Sequence, residues 1–259
     1  MDVREAVAAN RHWYHTLELA PGVVTPGHFD LRPVVDRLPW PDVRGKRCLD
    51  VGTYDGFMAF ELERRGAREV VATDLSDHAQ WDWPADVVAR GPGHMRDLAR
   101  FLGPKGEGFE TAHRALDSSV EKVEVSVYDL GPERLGTFDV VVCGSLMLHL
   151  REPVRALEAI RSVCGGELLS AEEISLRLTL LHPRRPLAAL NGVGDLCQWW
   201  TPNAAGHRRM LRSAGFEVLR HTRPYVIPFG TGHPPRGRVA GRLRGDGVPH
   251  AAALARPAL

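Results

Sequence analysis

The segment that most constrains the fold is a glycine-containing loop at residues 52–56, directly after an apolar run. Arg47 to Val51 has the composition of a buried strand, and Phe57 to Arg65 has the apolar spacing of a helix. Glycine lets the backbone turn sharply and lets a ligand approach it closely. A helix that starts after such a turn presents free N–H groups to a carboxylate or phosphate. The segment therefore predicts a ligand-binding strand–loop–helix unit.

A carboxylate at the end of the next strand makes this prediction more specific. The β-branched run from Glu69 to Thr73 ends in Asp74, where an acidic side chain can accept both hydroxyls of a ribose. A dinucleotide fingerprint needs a glycine where this loop has Tyr54, so the pattern favours S-adenosylmethionine (SAM) over a pyrophosphate. Two alternatives stay open: a tight turn without a ligand, and an Asp74 that caps a following helix together with Ser76 and Asp77.

The centre of the chain alternates strand and helix patterns. Further strands are predicted near residues 123–127, 138–143 and 166–171, with helices at 94–102, 109–116 and 153–164. A helix at 203–214 and two last strands at 216–221 and 225–228 follow. This alternation predicts an α/β fold with a parallel, doubly wound sheet.

The flanking segments differ from this centre. We expect an N-terminal extension and lid at residues 1–43, a ligand-binding domain at 44–230, and a weakly ordered tail at 231–259 that is rich in Gly, Pro, Arg and Ala. Arginines at 236, 238, 242 and 244 give the tail a basic character. They are solvated, or they contact the phosphates of a nucleic acid.

Composition narrows the functional classes. A length of 259 residues suits one elaborated α/β domain, and a formal net charge of +1 argues against a dedicated nucleic-acid binder. The charged N-terminus and the lack of a membrane-length apolar segment predict a protein that is neither secreted nor integral to a membrane. The four cysteines lie far apart, which predicts reduced thiols in a cytoplasmic protein and no zinc site: Cys48, Cys143, Cys164 and Cys197.

Two further strand ends carry polar residues. Asp129 and Leu130 follow the third predicted strand, at the carboxyl edge where doubly wound sheets bind ligands. Asp129 is a candidate acceptor for an adenine amino group, or a turn former before Gly131. His149 lies shortly after the fourth strand and is a candidate for facing the cofactor sulfonium or acting as a general base. A structural, hydrogen-bonded His149 is the equal alternative.

Residues Cys48 to Asp74 resemble the class I SAM-dependent methyltransferase motif as it occurs in the tRNA wobble-uridine 5-oxyacetate methyltransferase-like family. Phe29–Leu31, Leu148–Pro153, and Trp199–Asn203 leading to Met210–Phe216 also match, so the resemblance runs from about Trp13 to Phe216. It implies a Rossmann-like sheet of seven strands with SAM at its carboxyl edge.

The resemblance also implies roles for individual residues. Asp50, Gly52 and Gly56 would surround the methionine part of SAM, Asp74 would bind the ribose, and Asp129 with Leu130 would flank the adenine. We add four neighbouring residues to this expected cofactor site: Thr53, Asp55, Leu75 and Gly144. The related bacterial tRNA carboxymethyltransferase has a long N-terminal region that this chain lacks. No lysine can be matched to a carboxymethyl group, which favours ordinary SAM.

Aromatic residues outside the cofactor motif are candidates for the substrate side. An aromatic wall excludes water and holds a sulfonium by cation–π attraction. The candidates are Trp13, Tyr14, Phe29, Trp199 and Trp200, with Asn203 as a polar contact. The alternatives are that the rings are core residues and that Asn203 caps the helix after it. His15 and His149 are the candidate catalytic bases.

These patterns leave several functions open. The leading prediction is a SAM-dependent methyltransferase that acts on a small molecule, with specialised metabolism as its expected setting. The alternatives are a tRNA wobble-uridine methyltransferase, a SAM-consuming cyclase that releases methylthioadenosine, and a non-catalytic SAM-binding protein. The acceptor atom and the oligomeric state are not encoded in any motif of the chain.

Overall fold

The computed structural model describes residues 2–103, 105–233 and 246–258. The strands are β1 (Glu18–Ala20), β2 (Val23–Val24), β3 (Arg47–Val51), β4 (Glu69–Asp74), β5 (Glu121–Glu124), β6 (Phe138–Gly144), β7 (Cys164–Glu173), β8 (Ala188–Leu190), β9 (Trp200–Pro202), β10 (Phe216–His221), β11 (Tyr225–Pro228) and β12 (Gly247–Pro257). The helices are α1 (Val3–Ala9), α2 (Phe57–Arg64), α3 (Ala85–Val88), α4 (Gly91–Leu102), α5 (Glu107–Ala115), α6 (Pro132–Leu135), α7 (Pro153–Val163), α8 (Leu176–Leu181) and α9 (Ala204–Ser213).

A single twisted sheet organises the fold. Its strand order is β10-β12-β7-β6-β3-β4-β5, and β11 pairs with β12 beside this path. The pairs among β3, β4, β5, β6 and β7 are parallel, whereas β12 runs antiparallel to both β7 and β10. The prediction of a seven-stranded doubly wound α/β sheet is confirmed, with β11 as an additional strand.

The central parallel strands carry apolar residues on both faces, which explains why helices cover both sides of the sheet. Val140 to Cys143 of β6 are fully buried, as expected for a strand covered by helices on each side. One large hydrophobic cluster contains Phe57 and Leu62 of α2, and a second contains Leu157 and Ile160 of α7. The carboxyl ends of the parallel strands therefore meet at one edge, which is where the ligand-binding loops lie.

The third predicted strand is shorter and earlier than its sequence pattern suggested. β5 ends at Glu124, and a turn of 3-10 helix follows at Val127–Asp129. The Ser126 side chain accepts a hydrogen bond from the Tyr128 N–H and starts this turn. The side-chain cap breaks the strand that the apolar residues alone predicted.

The prediction of a weakly ordered tail is wrong for its last part. Residues Gly247–Pro257 form β12, which lies inside the sheet and pairs with β7, β10 and β11. Ala251 to Ala255 are buried, and alanine carries little β-propensity, so this run gave no strand signal in the sequence. The arginines at 236, 238, 242 and 244 lie outside the described residues.

The N-terminal extension packs directly on the domain. Trp13, Leu17 and Leu19 belong to the same hydrophobic cluster as Phe57 and Phe60 of α2. The Trp13 indole N–H donates to the Val7 carbonyl at 3.2 Å, which joins α1 to this packing. The extension is thus held by burial of large apolar side chains.

The cysteines and helices also bear on the expected class of protein. All four cysteines are free and buried. Within the described ranges, no helix combines the length and the apolar composition that crossing a bilayer requires.

An acidic side chain is buried beside the centre of the sheet. Glu172 of β7 is 1% exposed and accepts a hydrogen bond from the Met147 N–H at 3.1 Å. Burial raises the pKa of Glu172 to about 8. Its uncharged form is therefore favoured in the folded protein.

We expect Leu254→Ala in β12 to lower the free energy of unfolding by about 3 kcal/mol, because the side chain is 1% exposed and its removal leaves a cavity. Chemical denaturation measures this. Leu180→Ala is the matched control, since Leu180 is 72% exposed, and should change stability by no more than about 0.5 kcal/mol. Equal, small effects of the two substitutions would show that β12 does not contribute to the fold.

We expect Glu172→Gln to become more stable relative to the wild type as the pH rises. The carboxyl titrates near its model value of 4.5 when unfolded and near 8 when folded, so unfolding releases a proton between these values. The wild type then loses about 1.4 kcal/mol per pH unit across that window, and the neutral amide does not. Denaturation at several pH values tests this, with exposed Glu158→Gln as the surface-charge control. A pH-independent difference would contradict the prediction.

Candidate functional site

The loop after β3 turns through three residues with positive φ. Gly52 has φ +76°, Tyr54 has φ +50° and Gly56, which begins α2, has φ +91°. A Cβ atom at Gly52 would lie 3.1 Å from the Leu146 side chain, so any larger residue would press on that neighbour. The loop therefore needs glycine here both for its backbone conformation and for its contact with the segment after β6.

Asp74 connects the end of β4 to this loop. Its Oδ2 accepts from the Tyr54 N–H at 2.7 Å, and its Oδ1 accepts from the Leu75 N–H at 2.7 Å. The structure thus brings together the loop and the acidic residue that the sequence pattern paired. Asp74 is not a helix cap; the capping alternative holds for Asp77, which accepts from the Ala79 N–H.

Lys105 is a member of this group that no motif indicated. Its ammonium lies 2.5 Å from Asp74 Oδ1, and the Lys105 side chain is only 7% exposed. The same nitrogen lies 5.1 Å from the Tyr54 ring centroid and 5.0 Å from that of Trp81. A cation between two rings and a carboxylate is well stabilised. Because the contacts join residues far apart in sequence, spacing alone carries no signal for them.

Two buried polar atoms of the loop region have no hydrogen-bond partner. These are Asp50 Oδ2 and Thr53 Oγ1, and both residues are 2% exposed. Burial raises the pKa of Asp50 to about 7; the Thr53 hydroxyl beside it partly offsets this increase, and the nearby Asp74 charge adds to it. A buried, unsatisfied carboxyl oxygen beside the start of a helix fits the ammonium of an amino-acid ligand.

Asp55 serves the protein chain, and its assignment to the cofactor is corrected. Its Oδ2 accepts from the N–H groups of Tyr14 at 2.6 Å and His15 at 3.0 Å. Burial raises the pKa of Asp55 to about 6. Gly108 of α5 packs so closely that a Cβ there would lie 2.4 Å from Asp55 Oδ1. The carboxylate therefore fastens the N-terminal extension to the loop.

The residues expected beside an adenine differ in how exposed they are. Asp129 is exposed at the end of the 3-10 turn, where it remains a candidate. Leu130 is 6% exposed and its side chain packs in a core cluster, so its place beside an adenine stays a prediction. Leu75 and Gly144 are partly exposed at the ends of β4 and β6, and they remain candidates.

Both candidate histidines are held in the neutral form. Burial lowers the pKa of His15 to about 3, and its Nδ1 is buried without a hydrogen-bond partner. Burial also lowers the pKa of His149, and the Lys105 charge contributes. The His149 Nδ1 lies 2.8 Å from the Cys197 carbonyl, so Nδ1 carries the proton and Nε2 keeps its lone pair. His15 and His149 remain candidate bases.

The predicted aromatic wall divides into two groups. The Tyr14 ring packs at a tilt against the rings of Tyr54 and Phe29, with centroid distances of 4.7 and 5.1 Å, beside the loop. Trp199 and Trp200 instead donate to the carbonyls of Asp82 and Arg151, at 2.6 and 3.1 Å. In the described part of the chain, no ring contact joins the two groups. Trp13 is 1% exposed and belongs to the core, which corrects its assignment to the substrate.

Asn203 is a structural residue, as its capping alternative predicted. Its Oδ1 accepts from the Gly206 N–H at 2.7 Å, which caps α9, and from the Leu187 N–H. Its Nδ2 donates to the carbonyls of His182 and Arg185. The side chain is fully buried and its hydrogen-bonding groups are used, so the assignment to substrate is corrected.

A second polar group at the carboxyl edge has no counterpart among the predicted site residues. Ser145 directly follows β6, and its Oγ lies 2.8 Å from Nε2 of His250 on β12. His250 pairs in register with Glu173 of β7, and its ring centroid lies 6.0 Å from that of Tyr225. The sequence did not indicate His250, because this residue lies in the segment whose composition predicted a weakly ordered tail.

Comparison with known proteins identifies the family. A profile described as "Methyltransferase domain" matches residues 28–221. The tRNA U34 carboxymethyltransferase of Pseudomonas paraeruginosa is 28% identical over 187 residues, which cover 70% of this chain and 48% of the relative. The chain thus spans about half the length of that relative. The ubiquinone biosynthesis O-methyltransferase of Acinetobacter baumannii is 26% identical over 218 residues, covering 78% of this chain and 80% of the relative.

The solved structures agree in fold. The PH0226 protein from Pyrococcus horikoshii OT3 superposes with a TM-score of 0.50 at 14% identity, covering 88% of this chain and 87% of that one. The seven-strand order, the glycine loop after β3 and the acidic end of β4 are consistent with the profile match. The chain therefore belongs to the methyltransferase domain family.

Proposed function

We propose that the protein transfers the methyl group of SAM to a small-molecule acceptor at the carboxyl edge of β3, β4, β6 and β7. The observation that supports this most directly is the Asp74 carboxylate hydrogen-bonded to the Tyr54 N–H of the glycine loop. This contact holds Asp74 against the glycine loop, which supports a ribose site next to an amino-acid site. Methyl transfer needs positioning and exclusion of water more than covalent help from the protein.

The residues at this edge fit SAM group by group. Asp50 Oδ2 and Thr53 Oγ1, both buried and unpaired, would hold the amino-acid part. Asp74 would hold the ribose, sharing its carboxylate with Lys105. Tyr14 of the N-terminal extension, whose position Asp55 fixes, would cover the site together with Tyr54 of the loop. When bound, SAM supplies an electrophilic methyl group on a sulfonium.

Two observations favour a small-molecule acceptor. The net charge of +1 provides no general attraction for a polyanion. The ubiquinone biosynthesis relative matches over 80% of its own length, and its name refers to O-methylation. Methylation of tRNA is the second candidate, because the relative with 28% identity acts on tRNA U34 according to its name.

We expect Asp74→Asn to weaken binding of S-adenosylhomocysteine by about tenfold to a hundredfold. The substitution removes the charge from hydrogen bonds worth about 1.5–3 kcal/mol. Isothermal titration calorimetry measures this. Asp77→Asn is the matched control, since Asp77 is exposed and only caps a short turn. Unchanged affinity in the Asp74 variant would remove Asp74 from the proposed cofactor site.

We expect the protein to convert SAM with a tritiated methyl group into S-adenosylhomocysteine when small phenols are present, and to leave bulk tRNA unlabelled. Chromatography of the nucleoside products separates the competing reactions. Release of methylthioadenosine would indicate the cyclase reaction instead. Label in tRNA that decreases steeply with salt would favour the second candidate, and failure to bind SAM at all would contradict the proposed function.

A further inference from the structure

The Ser145–His250 pair lies at the carboxyl edge of the sheet, next to the loop that we propose binds the cofactor. Ser145 is the first residue after β6, and its N–H donates to the Ala171 carbonyl at the end of β7. The next residue, Leu146, contacts Gly52 of the cofactor loop. Ser145 thus stands between the loop and the strands that form the other side of the edge.

The hydrogen bonds fix which atom carries each proton. His250 Nδ1 lies 3.0 Å from the Val248 carbonyl, which can only accept, so Nδ1 carries the proton. His250 Nε2 therefore presents a lone pair, and the Ser145 hydroxyl, 2.8 Å away, donates to it. The lone pairs of Ser145 Oγ remain to accept a proton from a third group. This direction of donation is what a general base needs.

The backbone at Ser145 is held in an uncommon conformation. Its φ is +52°, in the left-handed region that residues with a side chain seldom adopt. Glycine would relieve this conformation but would have no hydroxyl. A residue kept there against backbone preference is consistent with a role for its side chain.

Aromatic and acidic residues lie on the elements next to the Ser145–His250 pair. Tyr225 of β11 and Glu173 of β7 face His250 on neighbouring strands. Tyr14 of the N-terminal extension is partly buried, and this desolvation, together with the charges of Glu173 and Asp55, raises its pKa. Tyr14 therefore remains an uncharged phenol. An acceptor bound next to the pair would contact these aromatic rings and the Ser145 hydroxyl, which can accept a proton.

We infer that Ser145 and His250 form a proton relay that deprotonates a phenolic hydroxyl acceptor; the inference rests on the proposed function. The acceptor oxygen forms its bond to the methyl carbon as the carbon–sulfur bond breaks, and that electron pair stays on sulfur. The acceptor proton passes to Ser145 Oγ, while the Ser145 proton passes to His250 Nε2. The resulting imidazolium later releases its proton to water.

The imidazole is suited to this step although burial lowers the pKa of His250 to about 4. It is neutral and able to accept before the reaction starts. A hydroxyl oxygen that is bonding to a methyl carbon becomes far more acidic than a free phenol, so a weak base is sufficient.

The chain provides a matched control pair. Ser170 Oγ lies 2.9 Å from Nε2 of His207, another buried histidine whose pKa burial lowers to about 4. Ser170 precedes Ala171 on β7 and so faces the opposite side of the sheet, toward α9. Ser170→Ala therefore removes the same kind of hydrogen bond from a serine on the other face of the sheet, although His250 is near enough for its charge to lower the pKa of His207.

The test uses two phenols of similar size, phenol and pentafluorophenol, as acceptor probes. Phenol must lose its proton during transfer, whereas pentafluorophenol is already ionised at neutral pH. We expect Ser145→Ala to lower kcat with phenol by about a hundredfold and kcat with pentafluorophenol by about twofold or less. Ser145→Gly should do the same and protects the test against misfolding, because it relieves the positive φ. Ser170→Ala should leave the ratio of the two rates unchanged.

A second measurement does not depend on turnover. Proton–nitrogen NMR of the histidine side chains, with His250 assigned through His250→Asn, should show protonated Nδ1 and unprotonated Nε2. Equal loss of rate with both phenols in Ser145→Ala, no loss with phenol, or a protonated Nε2 would overturn the relay. If the wild type binds S-adenosylhomocysteine by calorimetry but methylates neither phenol, the hydroxyl acceptor is wrong. If it binds none, the proposed function itself fails.

Discussion

Carboxyl groups buried at one edge of the sheet are the constraint around which the site is arranged. A carboxylate removed from water must find donors or take up a proton. Asp55 satisfies this by accepting two N–H groups from the N-terminal extension, and Asp74 by accepting from the loop and Lys105. Asp50 is left with an unpaired oxygen. Asp55 and Asp74 thus hold chain segments in place at this edge, whereas Asp50 has an oxygen left to bind a ligand.

Local patterns were sufficient for the parts of the fold that depend on neighbours in sequence. The strand before Gly52, the acidic end of β4 and the cap at Asn203 all follow from residues close together in the chain. The sequence did not indicate Lys105, which meets Asp74 across 31 positions, or His250, which meets Ser145 across 105. Such contacts exist only after the sheet has formed, so periodicity and spacing contain no trace of them.

β12 shows a different limit of the sequence. Its buried alanines have no strong preference for strands, and its position is set by the two strands that enclose it. The type of a polar side chain is likewise insufficient to predict which group it binds. Asp55 looks like a ligand-binding residue of the loop, yet backbone donors from another segment occupy it. A residue type tells which partners are possible, and tertiary packing decides which partner is present.

The position of β12 also has a consequence for synthesis. The chain leaves the ribosome with β7 and β10 ahead of β12, and in the finished sheet these two strands are separated by it. Until residues 247–257 emerge, the outer side of β7 and the inner side of β10 present unpaired backbone groups. A nascent chain is therefore open to wrong strand pairing over this interval. Chaperones that shield exposed strand edges would have most effect at that moment.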